Sequence, residues 1–268
     1  MLNLSSAVMI LSGCSAAVAL ILFVRGAPYG RYTNSTTAYN LCLPPLPAKL
    51  AWFIQELPSF LCPLFIWSLY GRTALNSSNV ILLCCFLVHY FNRTFVYPLR
   101  INGGKPTPVG VFLMAFFFCL WNGTAQGIYL AMVLQPPPGL RFWVGVGMWA
   151  LGLFINMDSD AILRRLRKPG DTRYYIPRGG AFEYVSGANF LGEIIEWVGF
   201  AIAAYTPVHT VGSISRGLAE VLLCPPVAFA IFTACNIGPR ALEHHKNYLK
   251  RFPGEYPKGR KALIPFLL

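Results

Sequence analysis

Gly187–Tyr205 reads GANFLGEIIEWVGFAIAAY, a run long enough to cross a bilayer that nevertheless carries Asn189, Glu193 and Glu196. At 3.6 residues per turn, positions 189, 193, 196 and 197 share one helical face, and the remainder is almost wholly Leu, Ile, Val, Phe, Ala and Gly. A carboxylate among lipid tails is costly, roughly 3 kcal/mol or more, so such a residue normally faces a polar cavity and a partner. One polar stripe on a spanning helix therefore implies a buried site, and the rest of the chain should supply its other walls.

The composition agrees. Of the 268 residues 55% are hydrophobic and only 12% charged, and the mean hydropathy is +0.52, whereas soluble domains carry about 25% charged residues. The expected fold is all-α: a polytopic bundle of seven transmembrane helices with a cytosolic C-terminal helix, one integral-membrane domain over residues 1–268. The expected spans are 5–24, 47–70, 78–97, 109–134, 140–164, 185–206 and 217–237. Repeats and low-complexity tracts are not evident.

The net charge of +12 is unevenly placed. Seven spans put eighteen of the 22 Lys and Arg on one side, including Arg164, Arg165, Arg167 and Lys168 and the group from Arg240 to Lys261. The positive-inside rule then sets the C-terminus in the cytosol and the N-terminus outside it. Much of the basicity serves as this topology signal; the remainder is available to an anionic ligand. The partners expected are membrane lipid and a small ligand, not nucleic acid. The first apolar run has no preceding Lys or Arg and is followed by Arg25, which favours an anchoring helix over a cleaved signal peptide. The eight cysteines lie mostly inside spans without CxxC spacing and read as small apolar residues.

Further polar stripes follow. The fifth span ends INMDSDAILRRLRKPG, in which Asn156, Asp160 and Arg167 fall on one side of a continuing helix that Pro169-Gly170 stops. The basic residues here also suit a membrane-interface collar, but Asn156 and Asp160 lie deeper than a collar requires. The seventh span runs into CNIGPRALEHHKNYLKRF, where Arg240, His244 and Tyr248 are spaced by four; an amphipathic helix lying on the cytosolic surface is the competing reading. Adjacent His244 and His245 diverge on a helix and lack a third ligand, so no metal is expected. The second span contains WFIQELPSF with Glu56, and the third HYFNRTFVY with His89, Tyr90, Arg93 and Tyr97. A buried Tyr is usually core; beside a lone buried Glu it becomes a candidate acid pair.

No dinucleotide fingerprint, Walker loop, HExxH or GxSxG is present. Arg167 and Arg240 could grip an anion bidentately. Residue types alone leave an enzyme or a transporter open.

QELPSF at 55–60, HYFNRTFVYP at 89–98, INMDSDAILRRLRKPG at 155–170, YIPRGGAFEYVSGANFLGEIIEWVGFA at 175–201 and YPKGRKALIPFLL at 256–268 resemble the steroid 5α-reductases (3-oxo-5α-steroid 4-dehydrogenases), in order and over nearly the whole chain. The resemblance implies NADPH held inside the bundle and reduction of the Δ4 double bond of a 3-oxo steroid such as testosterone or progesterone. Hydride would reach carbon 5 while Glu56 and Tyr90 polarise the 3-ketone. It implies a substrate site at Trp52, Gln55, Glu56 and Tyr90. It implies cofactor contacts at Asn156, Asp160, Arg167, Tyr174, Asn189, Glu193, Trp197, Arg240, His244 and Tyr248, with Asn102 and Lys105 in the third loop. In a eukaryote it implies the endoplasmic reticulum membrane, and in a bacterium the inner membrane. Departures from the family pattern are Met114, where some members have Arg, Glu243 at a basic position, and a longer stretch over 206–226. The alternatives are a related membrane sterol or polyprenol reductase, a membrane methyltransferase, or a lipid or steroid transporter; the last is disfavoured because no inverted repeat of broken helices is seen.

Overall fold

The computed structural model describes residues 4–25, 43–71, 76–101, 105–166, 173–206 and 221–268. Among these, seven long helices run in order: α1 Leu4–Arg25, α2 Ala48–Tyr70, α3 Ser77–Leu99, α4 Val109–Met132, α5 Leu140–Arg165, α6 Ala188–Ala204 and α7 Pro225–Arg251. Four of them, α2 to α5, are long and apolar enough to cross a membrane, and α1 contributes a shorter apolar stretch, Ile10–Ile21.

The outside of the bundle is greasy, and polar side chains are drawn inside among the apolar core. Phe65, Phe117, Leu140, Trp143 and Phe154 are exposed, while Gln55, Asn79, His89, Asn122, Gln126, Asn156, Asp160 and Glu196 are buried. That inversion suits a bundle whose solvent is lipid: apolar side chains lose nothing by facing it, and polar ones must find partners inside.

Without a hydrophobic drive between helices, close backbone approach holds such bundles together. Gly145 and Gly152 on α5 face Gly192 and Gly199 on α6, and a Cβ on any of the four would meet backbone atoms of the opposite helix. Gly123 and Gly127 on α4 lie equally close to the backbone of α2 at Pro58, Ser59 and Pro63. The Ser59 hydroxyl donates to the Cys119 carbonyl across this seam at 3.1 Å. Helix α1 packs on α7, and α7 on α6. Where the pairs meet, Phe86, Tyr90, Tyr129, Trp149, Trp197, Phe200 and Phe229 fill the core.

Helix ends follow their local chemistry. The Asn76 side chain caps α3 by accepting from Asn79 N at 2.8 Å. Pro225 and Pro226 occupy the first turn of α7, where missing N–H groups cost nothing. Helix α3 contains a π-turn over Asn92–Val96, an extra residue of the kind often found at functional sites. It removes the plain helical spacing expected for Tyr90, Arg93 and Tyr97.

Two boundaries differ from expectation. The sixth helix begins at Ala188 rather than 185, because Val185, Ser186 and Gly187 pair with the C-terminal segment: Lys261 N donates to Tyr184 O at 2.9 Å, Ser186 N to Lys261 O at 2.8 Å and Gly187 N to Ala262 O at 2.9 Å. The seventh begins at Pro225, not 217, and continues without a break through Pro239 to Arg251. The expected C-terminal helix is thus the polar half of α7 and not a separate element. Residues 217–220 lie outside the described residues.

The glycine seams give a direct test. Gly152→Val should destabilise the protein by about 1–3 kcal/mol, as overpacking does, and lower its thermal midpoint in detergent. Gly147→Ala on the same helix, where an added Cβ has open space, should leave that midpoint unchanged.

Candidate active site

Helices α2, α3 and α4 bring together the first group of candidate residues. Gln55 is buried and Glu56 half-buried. Gln55 Nε2 lies 3.4 Å from Glu56 Oε1, and the Cys119 thiol stands 3.6 Å from Glu56 Oε2. The Tyr90 hydroxyl accepts from Asn122 Nδ2 at 3.3 Å. Gln126 Nε2 in turn donates to Asn122 Oδ1 at 3.2 Å and to Pro225 O at 2.9 Å. Cys119 and Glu56 act electrostatically on Tyr90, and Ser59 as a hydrogen-bond partner, so this phenol and this carboxyl share one polar pocket without bonding each other directly.

The second group lies between α5, α6 and α7. Asn156 Nδ2 donates to Asn189 O at 2.9 Å, and Asn189 Nδ2 lies 3.3 Å from Asp160 Oδ1. These cross-links stitch the two stripes seen in the sequence into one surface. Glu193 is half-buried beside them and Trp197 fully buried. Farther along α7, His244 stacks on Phe190 of α6 with centroids 5.5 Å apart, and Tyr248 stacks on Tyr256 at 5.4 Å. Arg240 is half-buried on the same side of α7. The Arg251 guanidinium covers the Tyr174 ring at 3.9 Å. Three polar atoms along this surface, Asn156 Oδ1, Ser159 Oγ and Trp197 Nε1, are buried without a hydrogen-bond partner among the described residues.

Arg93 joins the two groups. Its guanidinium sits 4.7 Å from the Trp52 ring centroid and 4.8 Å from that of Tyr97, with Nη1 3.8 Å from Asp160 Oδ2. Glu193 and Glu56 are also electrostatic partners. This cation, 14% exposed, thereby lies within electrostatic reach of carboxylates from three helices. The sequence shows Arg93 as a charge within the third span without indicating a role. It shows Glu196 as well, but not its partner: His89 Nδ1 stands 2.7 Å from Glu196 Oε1. The spacing of α6 pointed inward correctly, but nothing in a single sequence pairs position 89 with position 196.

The remaining named residues stand apart from these two groups or lie outside the described residues. Lys105 is exposed on the segment leading into α4. Asn102 and Arg167 lie outside the described residues. Met114 and Glu243 are both exposed. Among the described residues no group of three or more His, Cys, Asp or Glu is placed to hold a metal, and His245 is otherwise engaged. Ser186 Oγ lies 2.7 Å from His245 Nδ1 and 2.6 Å from the Tyr256 hydroxyl, and it donates to Lys261 O at 3.1 Å. Arg260 Nη1 donates to Pro177 O at 2.9 Å. This knot holds the C-terminal segment against the entry to α6, immediately before Asn189.

The chain is similar to known proteins over nearly its full length. A family profile described as 3-oxo-5-alpha-steroid 4-dehydrogenase matches residues 105–211 and 218–268. The 3-oxo-5-alpha-steroid 4-dehydrogenase 2 of Sus scrofa is 44% identical over 266 residues, 96% of each chain. The 3-oxo-5-alpha-steroid 4-dehydrogenase 1 of Bos taurus is 44% identical over 259 residues, 93% of this chain and 91% of the relative. The corresponding protein 1 of Mus musculus is 43% identical over 277 residues, 100% of this chain and 98% of the relative.

The Ser186 knot has a pH signature. Burial, then Lys261 and Arg260, lower the pKa of His245 below its ordinary 6.5. Below that ordinary value the unfolded chain binds more protons than the folded one, so the stability contributed by neutral His245 is present above it and lost as pH falls toward the lowered value. Residues 253–268 should therefore become easier to cleave by protease between about pH 7 and pH 5. His245→Asn should flatten that dependence.

Proposed function

The chain belongs to the 3-oxo-5-alpha-steroid 4-dehydrogenase family, and from that premise we propose that it reduces the Δ4 double bond of 3-oxo steroids to give 5α-3-oxosteroids, with NADPH as reductant. The observation that carries this reading is 44% identity across 96% of the chain. The polar interior, with one face suited to a ketone and another to a nucleotide, supports it.

The residues present fit a reduced nicotinamide nucleotide. A nicotinamide carboxamide and ribose hydroxyls offer both donors and acceptors, and Asn156 Oδ1, Ser159 Oγ and Trp197 Nε1 supply unengaged partners of both kinds. Asn156, Asp160, Asn189, Glu193 and Trp197 would hold the nicotinamide side. Tyr174, Arg240, His244 and Tyr248 would hold the rest of the nucleotide, joined by Arg167, Asn102 and Lys105, with arginine suited to phosphate. When bound, NADPH supplies the hydride that carbon 5 receives.

The chain's own task is to stabilise the negative charge that develops on the 3-oxygen. Tyr90 accepts a hydrogen bond from Asn122 and, with its own O–H turned to the ketone, would be the first donor. Glu56 is the second residue assigned to polarise the 3-ketone. Gln55 and Cys119 hold that carboxyl from either side. Trp52, stacked on Arg93 and edge-on to Tyr97 at 5.0 Å, offers the flat steroid an aromatic wall. Preorganised donors of this kind typically contribute about 3–4 kcal/mol each to the transition state.

The protein is a multi-pass membrane protein by its apolar helices and its relatives. The reading adds seven spans, a single domain and a cytosolic C-terminus, with residence in the endoplasmic reticulum if the source is eukaryotic or the inner membrane if bacterial.

Membranes containing the protein should convert testosterone or progesterone to the 5α product with matching NADPH consumption. Glu56→Gln and Tyr90→Phe should each lower kcat by about 10²–10³-fold with NADPH affinity largely retained. Wild-type rates in both variants would remove these residues from the site. Arg240→Ala should instead raise the NADPH concentration needed for half-maximal rate, and an unchanged requirement would return Arg240 to a topology signal.

A further inference from the structure

Among the buried titratable side chains left unused by the reaction as proposed are His89 and Glu196. Their side chains are 3% and 0% exposed, and Nδ1 and Oε1 stand 2.7 Å apart across 107 residues of sequence. Each precedes a residue of the candidate site. His89 precedes Tyr90 on α3, and Glu196 precedes Trp197 on α6.

The four rings and side chains form one packed block. His89 meets Tyr90 edge-on at 5.0 Å and Trp197 at 4.6 Å; Tyr90 and Trp197 lie 6.0 Å apart. Phe86 closes the block, 4.7 Å from Tyr90 and 5.7 Å from Trp197.

The two ends of the contact differ in rigidity. Glu196 belongs to the glycine seam, because a Cβ on Gly152 would meet Glu196 N and Cα; its backbone has no room to shift. Tyr90 lies two residues before the π-turn at Asn92–Val96, where the regular hydrogen-bond ladder is interrupted. A tie from the rigid seam to His89 is what holds this end of α3 in register. Removing one member of such a buried pair leaves the other polar group uncompensated.

We propose that His89 and Glu196 are a positioning pair: their contact fixes the Tyr90 hydroxyl relative to Trp197 and the cofactor-binding stripe of α6. The inference rests on the ketone-polarising role given to Tyr90 above. Neither residue is assigned a contact with substrate or cofactor; both act through their neighbours.

The test uses purified full-length protein in detergent, with NADPH affinity read by quenching of protein fluorescence, separately from turnover. Glu196→Ala should lower kcat about a hundredfold, the scale of a misplaced catalytic group, while NADPH affinity changes less than about threefold. Glu196→Gln keeps an acceptor oxygen for His89 and should restore kcat to within about fivefold of wild type. In a Tyr90→Phe background, Glu196→Ala should cost little more, because the pair acts through that hydroxyl. If Glu196→Ala does not fold, His89→Asn, which keeps a nitrogen donor, and His89→Leu, which does not, read the same contrast. Wild-type kcat in Glu196→Ala or His89→Leu, equal losses for the Gln and Ala variants, or an undiminished loss in the Tyr90→Phe background would each overturn the pairing. Wild-type protein that binds NADPH but leaves every 4-ene-3-one unreduced would end the functional reading, and this inference with it.

Discussion

A guanidinium drawn in among apolar helices needs negative charge close by. Arg93 is that group here. Its Nη1 lies 3.8 Å from Asp160 Oδ2, with Glu193 and Glu56 as further partners and Trp52 and Tyr97 stacked on its faces. Coulomb attraction grows as the surroundings lose water, and the same dryness makes an unmatched charge expensive. The carboxylates of α2, α5 and α6 are therefore drawn toward one point, and the two halves of the candidate site meet there.

That convergence explains how polar residues from most of the helices come to share one interior. Helices α5 and α6 approach closely enough for Asn156 to reach the Asn189 carbonyl and Asn189 to reach Asp160, and only glycine at 145, 152, 192 and 199 permits the approach. On the opposite side, Gly123 and Gly127 let α4 lie against α2, which sets Cys119 beside Glu56 and Asn122 beside Tyr90. Small residues determine the spacing, and polar residues use the space so created.

Much of this was legible in one dimension. A period of 3.6 placed Asn189, Glu193 and Trp197 on one face, and Asn156 and Asp160 on another, because a helix in lipid must turn its polar atoms inward. The helix boundaries of α2, α3, α4 and α5 lie within a few residues of the expected spans. What periodicity could not supply was anything depending on contact between distant segments. The pairing of Val185–Gly187 with Lys261–Ala262 shortened the sixth helix. The π-turn broke the spacing of Tyr90, Arg93 and Tyr97. The His89–Glu196 contact joined two residues whose sequence context gave no sign of each other. The role of each candidate residue likewise came from resemblance, since spacing says which side chains face inward and not what they hold.

The glycine seams also govern how the bundle can breathe. Two helices touching backbone to backbone cannot slide without unpicking the whole line of contact, so the α5–α6 and α2–α4 pairs behave as stiff double rods. Relative displacement is left to α3 and α7, whose Phe86 and Phe229 meet Trp197 and Phe200 of α6 ring against ring at 4.4 to 6.4 Å. Aromatic faces slip and tilt at small cost compared with a backbone seam.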